Sequence, residues 1–594
     1  IAQVATRTMS DPPVCVACRG RIGRRILPPQ LRAMLSTRRT AAIPAFTVPC
    51  VVPCVVPCVV PCVVACVVAC TLAACGLQPG ERFGRAGAQA GRLRVPIRDD
   101  VVELDPARAH TPIEQALVRQ LFTALVENEK PALASSWDVT HDAAATRITF
   151  HLRSARFSDG TPLGANEIVW SWRRALRPST RTADSAPLAI VNHGAELAKG
   201  ALLRIAHPGV RGKAAPYPVY RDGPADVVDD AEIAAGTTVR VVDSNEREPC
   251  CGKAVPLHTT ADDTSPAPAA LLPSETAVVI GARELRGAHG HDDALLFRLR
   301  APGGASGWAR ATELAVHVPP TGLVAVVDRA GPQASEGAPT LRAGPDEDAP
   351  ARAVLDDDDV VEIIERETDH CRVVDVKSGR TGWIANANID DTVRERRWFL
   401  VEPVDASASG PGNAAGRAWV SEQDLAFDPA VLDVQAVDDA TLDVGLAPGV
   451  DVEHALRTLS EAVLRPVPPR IVEEDGAAWT SAAMPTSGPF VVAEHVAGER
   501  IVLERSPTSI EKERAKLARV ELVVVKRPVT ALHLYRAGDL DAVLDGSLPP
   551  DLAPTLARAS DFVASPGGAG ALVAPEVHGF HPATLELRDV EVVP

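Results

Sequence analysis

The run from Thr149 to Arg174, TFHLRSARFSDGTPLGANEIVWSWRR, leaves little freedom of fold. Ile148, Phe150 and Leu152 alternate onto one face, which is the pattern of a half-buried strand. Ser158-Asp159-Gly160 then makes a turn, and Pro162 follows it. Apolar spacing switches to that of a helix, with Asn166 near its start. A strand must therefore pass through a tight turn into a helix that packs back on it. At 594 residues, the chain exceeds what one core supports and should hold several domains.

The wording of this run, FHLR-x4-FSDGTPL-x-A-x-E-I-V-x-SWRRAL, resembles the extracytoplasmic solute-binding proteins of family 5, which feed peptides to ABC importers. Further blocks resemble the same family in family order. They are Leu104-Asp105-Pro106, Leu121 to Val126, Pro131 to Trp137 and Ile190 to Gly200. After a gap the resemblance resumes at Val434 to Leu442, Pro466 to Pro468, Ser487 to Phe490, Glu499 to Arg505 and Leu534 to Asp541.

The resemblance implies an α/β fold of the periplasmic-binding-protein type II class, closing on an extended oligopeptide. Main-chain hydrogen bonds of strand-addition type would hold the ligand. Hinge closure would present it to an ABC permease and ATPase. Carried onto this sequence, Asp100 and Val101 lie on a ligand-facing edge strand, with Asp100 able to pair with a ligand amine. Trp170 takes the place of an aromatic that faces the cleft. The family pattern fades after Asp541 into the Gly/Ala-rich stretch 565–574, so the chain resembles a member truncated at its C-terminal side.

Seven of the twelve cysteines lie between Cys50 and Cys75, so the body is cysteine-poor and no disulfide framework is expected there. Residues 48–74 are apolar and uncharged, follow Arg32, Arg38 and Arg39, and end in Leu72-Ala73-Ala74-Cys75. That is the pattern of a lipoprotein signal, with Cys75 as the lipid-bearing residue. Pro53, Pro57 and Pro61 suit a spanning helix poorly. Met34 stands at a sensible distance before the basic region, so residues 1–33 read as an untranslated extension. Residues 1–75 are expected to be extension plus signal, and 76–92 a Gly/Ala/Gln-rich tether.

Residues 201–431 interrupt the resemblance, separating a first solute-binding part (93–200) from a second (432–594). Thr340-Leu341-Arg342-Ala343-Gly344-Pro345, short strands, and Gly379-Arg380-Thr381-Gly382-Trp383-Ile384 resemble a bacterial SH3-type domain. The closing motif recurs at Ser306-Gly307-Trp308 and more weakly at Arg417-Ala418-Trp419. Two such small β-barrels are expected, with a third echo. Peptidoglycan is the partner these modules would suggest.

Phosphate-loop, zincin, nucleophile-elbow and dinucleotide motifs are missing, so no enzyme and no cofactor are expected. Asp356 to Asp359 lacks the alternating oxygen ligands of a calcium loop, and His289 and His291 have no third histidine nearby. A net charge of −16 argues against nucleic acid. Two readings follow. One is a lipid-anchored oligopeptide receptor in the cell envelope, delivering to an ABC importer. The other is a non-transport envelope lipoprotein whose SH3-like modules bind cell wall and whose solute-binding lobe is a remnant.

Overall fold

The computed structural model describes residues 90–593, except 142–145, 181–182, 206–209, 214–218, 221–230, 262–264, 286–293, 318–323, 328–338, 358, 391–396, 405–416, 482, 545–546, 565–569 and 582–584. Two four-stranded sheets are the largest in the solute-binding body among the described residues. In the first, the edge strand Arg92–Ile97 pairs in parallel with Arg519–Val524, which continues antiparallel to Arg500–Arg505 and Phe490–Val496. Leu93, Val95, Val520, Leu522, Ile501, Leu503 and Phe490 point into one core. The helix Pro112–Leu121 covers it with Leu117, Val118 and Leu121. A Thr111/Glu114 capping box starts that helix, satisfying amide donors that would otherwise be orphaned.

The second sheet runs Val434–Asp438, Thr441–Gly445, Thr146–Leu152, Ala134–His141, all antiparallel. The predicted strand, turn and helix are all present. Asp159 Oδ1 accepts from the Thr161 amide (2.9 Å) and hydroxyl (2.7 Å), which closes the turn. The helix Ala165–Ala175 begins at Gly164, whose amide donates to Glu167, while Asn166 instead donates to Asp439. Trp172 is fully buried beside Phe150 and Ile148, and its indole N–H donates to Leu464 O at 2.8 Å.

Among the described residues three small barrels follow, one more than the two firm sequence motifs. All three share five strands a to e in the spatial order e-a-b-c-d, to which Val219–Tyr220 adds in the second and Thr340–Arg342 and Ala351–Val354 in the third. In the first barrel these are Leu202–Ile205, Thr238–Ser244, Trp398–Pro403, Ala418–Ser421 and Leu425–Ala426. The second uses Glu246–Pro249, Ala277–Leu285, Ala294–Arg300, Ser306–Arg310 and Leu314–His317. The third uses Val324–Val327, Val360–Arg366, His370–Asp375, Thr381–Ala385 and Ile389–Asp390. A single 3₁₀ turn joins d to e in all three, at Glu422–Asp424, Ala311–Glu313 and Asn386–Asn388.

The recurring tryptophan marks the same place each time. It pairs through the backbone with a basic or imidazole residue: Trp419 with Lys213, Trp308 with His258, Trp383 with Arg342. Gly382 precedes Trp383 because a Cβ there would lie 2.9 Å from Leu341 Cβ and 3.0 Å from Arg342 O.

The barrels are nested. The second and third are both inserted between strands b and c of the first, where Asn245 N donates to Trp398 O at 3.0 Å. The first barrel's interior, including Leu202, Leu203, Ile205, Val239, Phe399, Val401 and Phe427, belongs to the same apolar core as Ile148, Phe150 and Trp172. The second and third barrels have cores of their own. The boundary expected at 200 and 432 therefore falls outside strands whose core continues into the lobe. Among the described residues no helix is long and apolar enough to cross a membrane.

Candidate functional site

Asp100 and Val101 follow the edge strand, which ends at Ile97, and lie in irregular backbone. Both Asp100 oxygens are occupied by the protein. Oδ1 accepts from Val101 N at 3.0 Å and Oδ2 from Gly498 N at 2.7 Å, in the turn between strands Phe490–Val496 and Arg500–Arg505. Val101 is 1% exposed and its side chain faces the core. Asp100 thus fastens a turn and Val101 fills a core, against the expectation of a ligand-facing pair. Neighbouring Val102 is the apolar side chain that projects outward, 83% exposed. Cys75 lies outside the described residues, as do His289 and His291.

Trp170 is half-buried at the rim of a charged cluster unforeseen in the sequence. At its centre is Asp105, 1% exposed. Its carboxylate accepts two N–H groups of Arg174, one at 3.0 Å, together with Ala107 N at 3.0 Å and Trp479 Nε1 at 3.2 Å. Burial alone would raise its pKa, but the Arg174 guanidinium and these donors hold Asp105 below the usual carboxylate value. Burial, and then the charge of Asp105, push nearby Glu103 up. Arg174 also sits 5.8 Å from the centroid of Trp170, one helical turn before it. Their spacing of four on one helix was visible in WSWRR; the pairing of Arg174 with Asp105, 69 residues away, was not.

Trp170 Nε1 donates to Glu473 Oε1 at 3.3 Å. The same carboxylate takes both contacts of Arg372 from the third barrel, at 2.9 and 3.0 Å. Glu362 of that barrel accepts from Ser179 N at 2.9 Å, and Ser378 O accepts from Ala477 N at 2.7 Å. The third barrel is thus docked beside Trp170. A void of about 30 Å³ remains beneath it, lined among others by Arg108, Arg174, Arg177, Thr381 and Trp479. Burial pushes the Arg177 guanidinium down from its ordinary value. Among the described residues no group of three or more His, Cys, Asp or Glu could hold a metal ion. The cluster can position and enclose a neighbour, and Asp105 with Arg174 and Glu473 with Arg372 are already committed to one another.

Comparison with known proteins gives two family matches. Residues 128–249 and 406–578 match the bacterial extracellular solute-binding proteins, family 5 middle, and residues 336–391 match the bacterial SH3 domain. The periplasmic oligopeptide-binding protein OppA of Escherichia coli K12 is 34% identical over 122 residues, 20% of this chain and 22% of OppA. The periplasmic murein peptide-binding protein MppA of the same strain is 38% identical over 113 residues, 18% of this chain and 20% of MppA. Haemophilus influenzae OppA, solved in complex with RPPGFSPFR, aligns with 80% of this chain and 50% of its own at 15% identity and a TM-score of 0.39. The matched stretches span about a fifth of the length of these curated relatives.

Proposed function

Since the chain is a family 5 extracellular solute-binding protein of periplasmic-binding type II fold carrying a bacterial SH3 domain, we propose that it is an envelope receptor for oligopeptides that delivers them to an ABC permease and ATPase. One observation carries this reading. The family match stands on both sides of the second and third barrels, and its two parts fold together, with Thr441–Gly445 pairing Thr146–Leu152. Peptide would lie against the Trp170 side of the lobe and be held largely through its main chain.

Calorimetric titration with a pool of tri- to pentapeptides tests it. Saturable heat is expected, weakened about tenfold by Trp170→Ala, which corresponds to about 1.4 kcal/mol. No saturable heat, in the whole chain and in a chain with residues 246–396 removed, overturns the receptor reading.

A second reading is favoured by the number of barrels, three where the family match to an SH3 domain covers one. In it the chain is a cell-wall-binding lipoprotein. Co-sedimentation with purified peptidoglycan sacculi, without any peptide heat, would select it.

Both readings place the protein on a membrane through lipid at Cys75, for which Leu72-Ala73-Ala74-Cys75 after an uncharged apolar run is the support. Metabolic labelling with a fatty-acid analogue should mark the wild type and leave Cys75→Ser blank. Equal labelling of both removes the anchor.

A further inference from the structure

The third barrel meets the lobe through a fitted joint. Gly476 on the lobe has φ +59°, a left-handed conformation that favours glycine. A Cβ there would stand 2.1 Å from Ser378 O and 2.6 Å from Arg380 N of the barrel, so only glycine lets the two backbones meet. The adjacent Ala477 N then donates to Ser378 O at 2.7 Å. On either side lie the contact of Arg372 Nη2 with both Glu473 oxygens and the Ser179–Glu362 hydrogen bond. Lobe and barrel supply complementary shapes, which a chance contact between neighbouring domains does not require.

The joint is polar, and it is imperfect. The Nε of Arg177 and the hydroxyl of Ser179 have no hydrogen-bond partner within the chain, and both residues line the small void beside it. Polar contacts between domains of one chain behave like transient interfaces. A joint that is specific in shape yet polar is suited to opening and closing.

What it covers gives the opening a purpose. The docked barrel fixes the Trp170 indole through Glu473 and leaves about 30 Å³ below, room for a water or two. Pockets that enclose small organic ligands are roughly ten times larger or more. We propose that the third barrel is a built-in lid, which in its docked position denies peptide access to the Trp170 face and must lift for ligand to bind. The proposal rests on the receptor reading above. Apparent affinity would then be reduced by the fraction of molecules whose lid is open.

Two chains bracket the equilibrium. Arg372→Glu sets two negative charges against each other at the joint and should release the barrel. Gly476→Ala should do so independently by steric contact. A Ser378→Cys/Ala477→Cys pair, in a background with exposed cysteines changed to serine, should form a disulfide that locks the barrel down. Loss of this cross-link when Arg372→Glu is added reports release directly, and adding Glu473→Arg should restore it.

Titration with the tri- to pentapeptide pool should give at least tenfold tighter binding for the released chains than for the locked one, and reducing the disulfide should recover the difference. Equal affinity in locked and released forms overturns the lid and leaves the receptor reading standing. Tighter binding by the locked form overturns it by making the barrel a wall of the site. No binding by released chains removes the receptor reading, and the lid with it.

Discussion

Asp105→Ala is expected to destabilise the chain by about 3–5 kcal/mol, a large share of the roughly 5–15 kcal/mol that holds a typical domain together. The reason lies in what remains behind. Arg174 is 9% exposed and reaches Asp105 with two of its N–H groups. Without the carboxylate, a buried guanidinium keeps its charge and loses its counter-charge. Trp479 Nε1 and Ala107 N lose their acceptor as well. Urea unfolding followed by tryptophan fluorescence measures the loss, and a change below about 1 kcal/mol would show that water replaces the carboxylate at little cost.

The pH dependence has a fixed sign. The folded-state pKa of Asp105 is depressed below its ordinary 3.8, so its stabilising contribution is fully present above that value and is lost as pH falls through the lower folded value. The gap between wild type and Asp105→Ala should therefore be constant from neutral pH down to about 5 and should close only in stronger acid.

The second large effect concerns where the chain can be cut. Removing residues 246–396 and bridging Asn245 to Arg397 with a short turn should leave a soluble, cooperatively folding protein. Asn245 and Trp398 already touch, through Asn245 N to Trp398 O at 3.0 Å and Trp398 N to Asn245 Oδ1 at 3.0 Å. The deleted barrels carry their own cores. Removing 201–431 should instead give aggregate. That cut takes away Leu202, Leu203, Ile205, Val239, Phe399, Val401 and Phe427, which share a core with Phe150 and Trp172. A fully buried side chain of this kind contributes about 1.5–3 kcal/mol. Four of them already come to about 6–12 kcal/mol, comparable to the whole stability of a typical domain. Solubility, far-ultraviolet circular dichroism and a urea melt of the two deletions decide the matter; two equally soluble, cooperative products would place the boundary at 200 and 432 after all.

Local features of this fold were legible in the sequence and distant pairings were not. The strand, turn and helix of 146–175 depend on alternation, an Asp-Gly turn and helical spacing within thirty residues, and all are present. Two of the three barrels were legible from their tryptophans. The third echo was faint because Ala418 stands where Gly307 and Gly382 stand in the other two. The first barrel as a whole was invisible, since strand Thr238–Ser244 and its partner Trp398–Pro403 are divided by two complete domains. The resemblance places Asp100 opposite a ligand amine, and nothing local in the sequence shows that its carboxylate is already taken. The Gly498 amide that occupies it comes from 398 residues further on. Asp105 and Arg174 both lie in blocks that carried the family resemblance, yet nothing in their spacing announces that they face each other.

The nesting of the barrels imposes an order of assembly on the emerging polypeptide. A strand cannot pair before its partner has been made. The edge strand Arg92–Ile97 is among the first described segments to appear and must wait for Arg519–Val524. Within that interval Thr238–Ser244 waits for Trp398–Pro403, while the second and third barrels open and close entirely inside the second wait. The structure is completed as a bracketed expression is evaluated, innermost terms first. Loop-closure entropy grows only logarithmically with length, so the long waits cost little at equilibrium. Their burden is kinetic, because the half-made sheets keep unpaired apolar edges exposed for as long as the inner domains take to emerge.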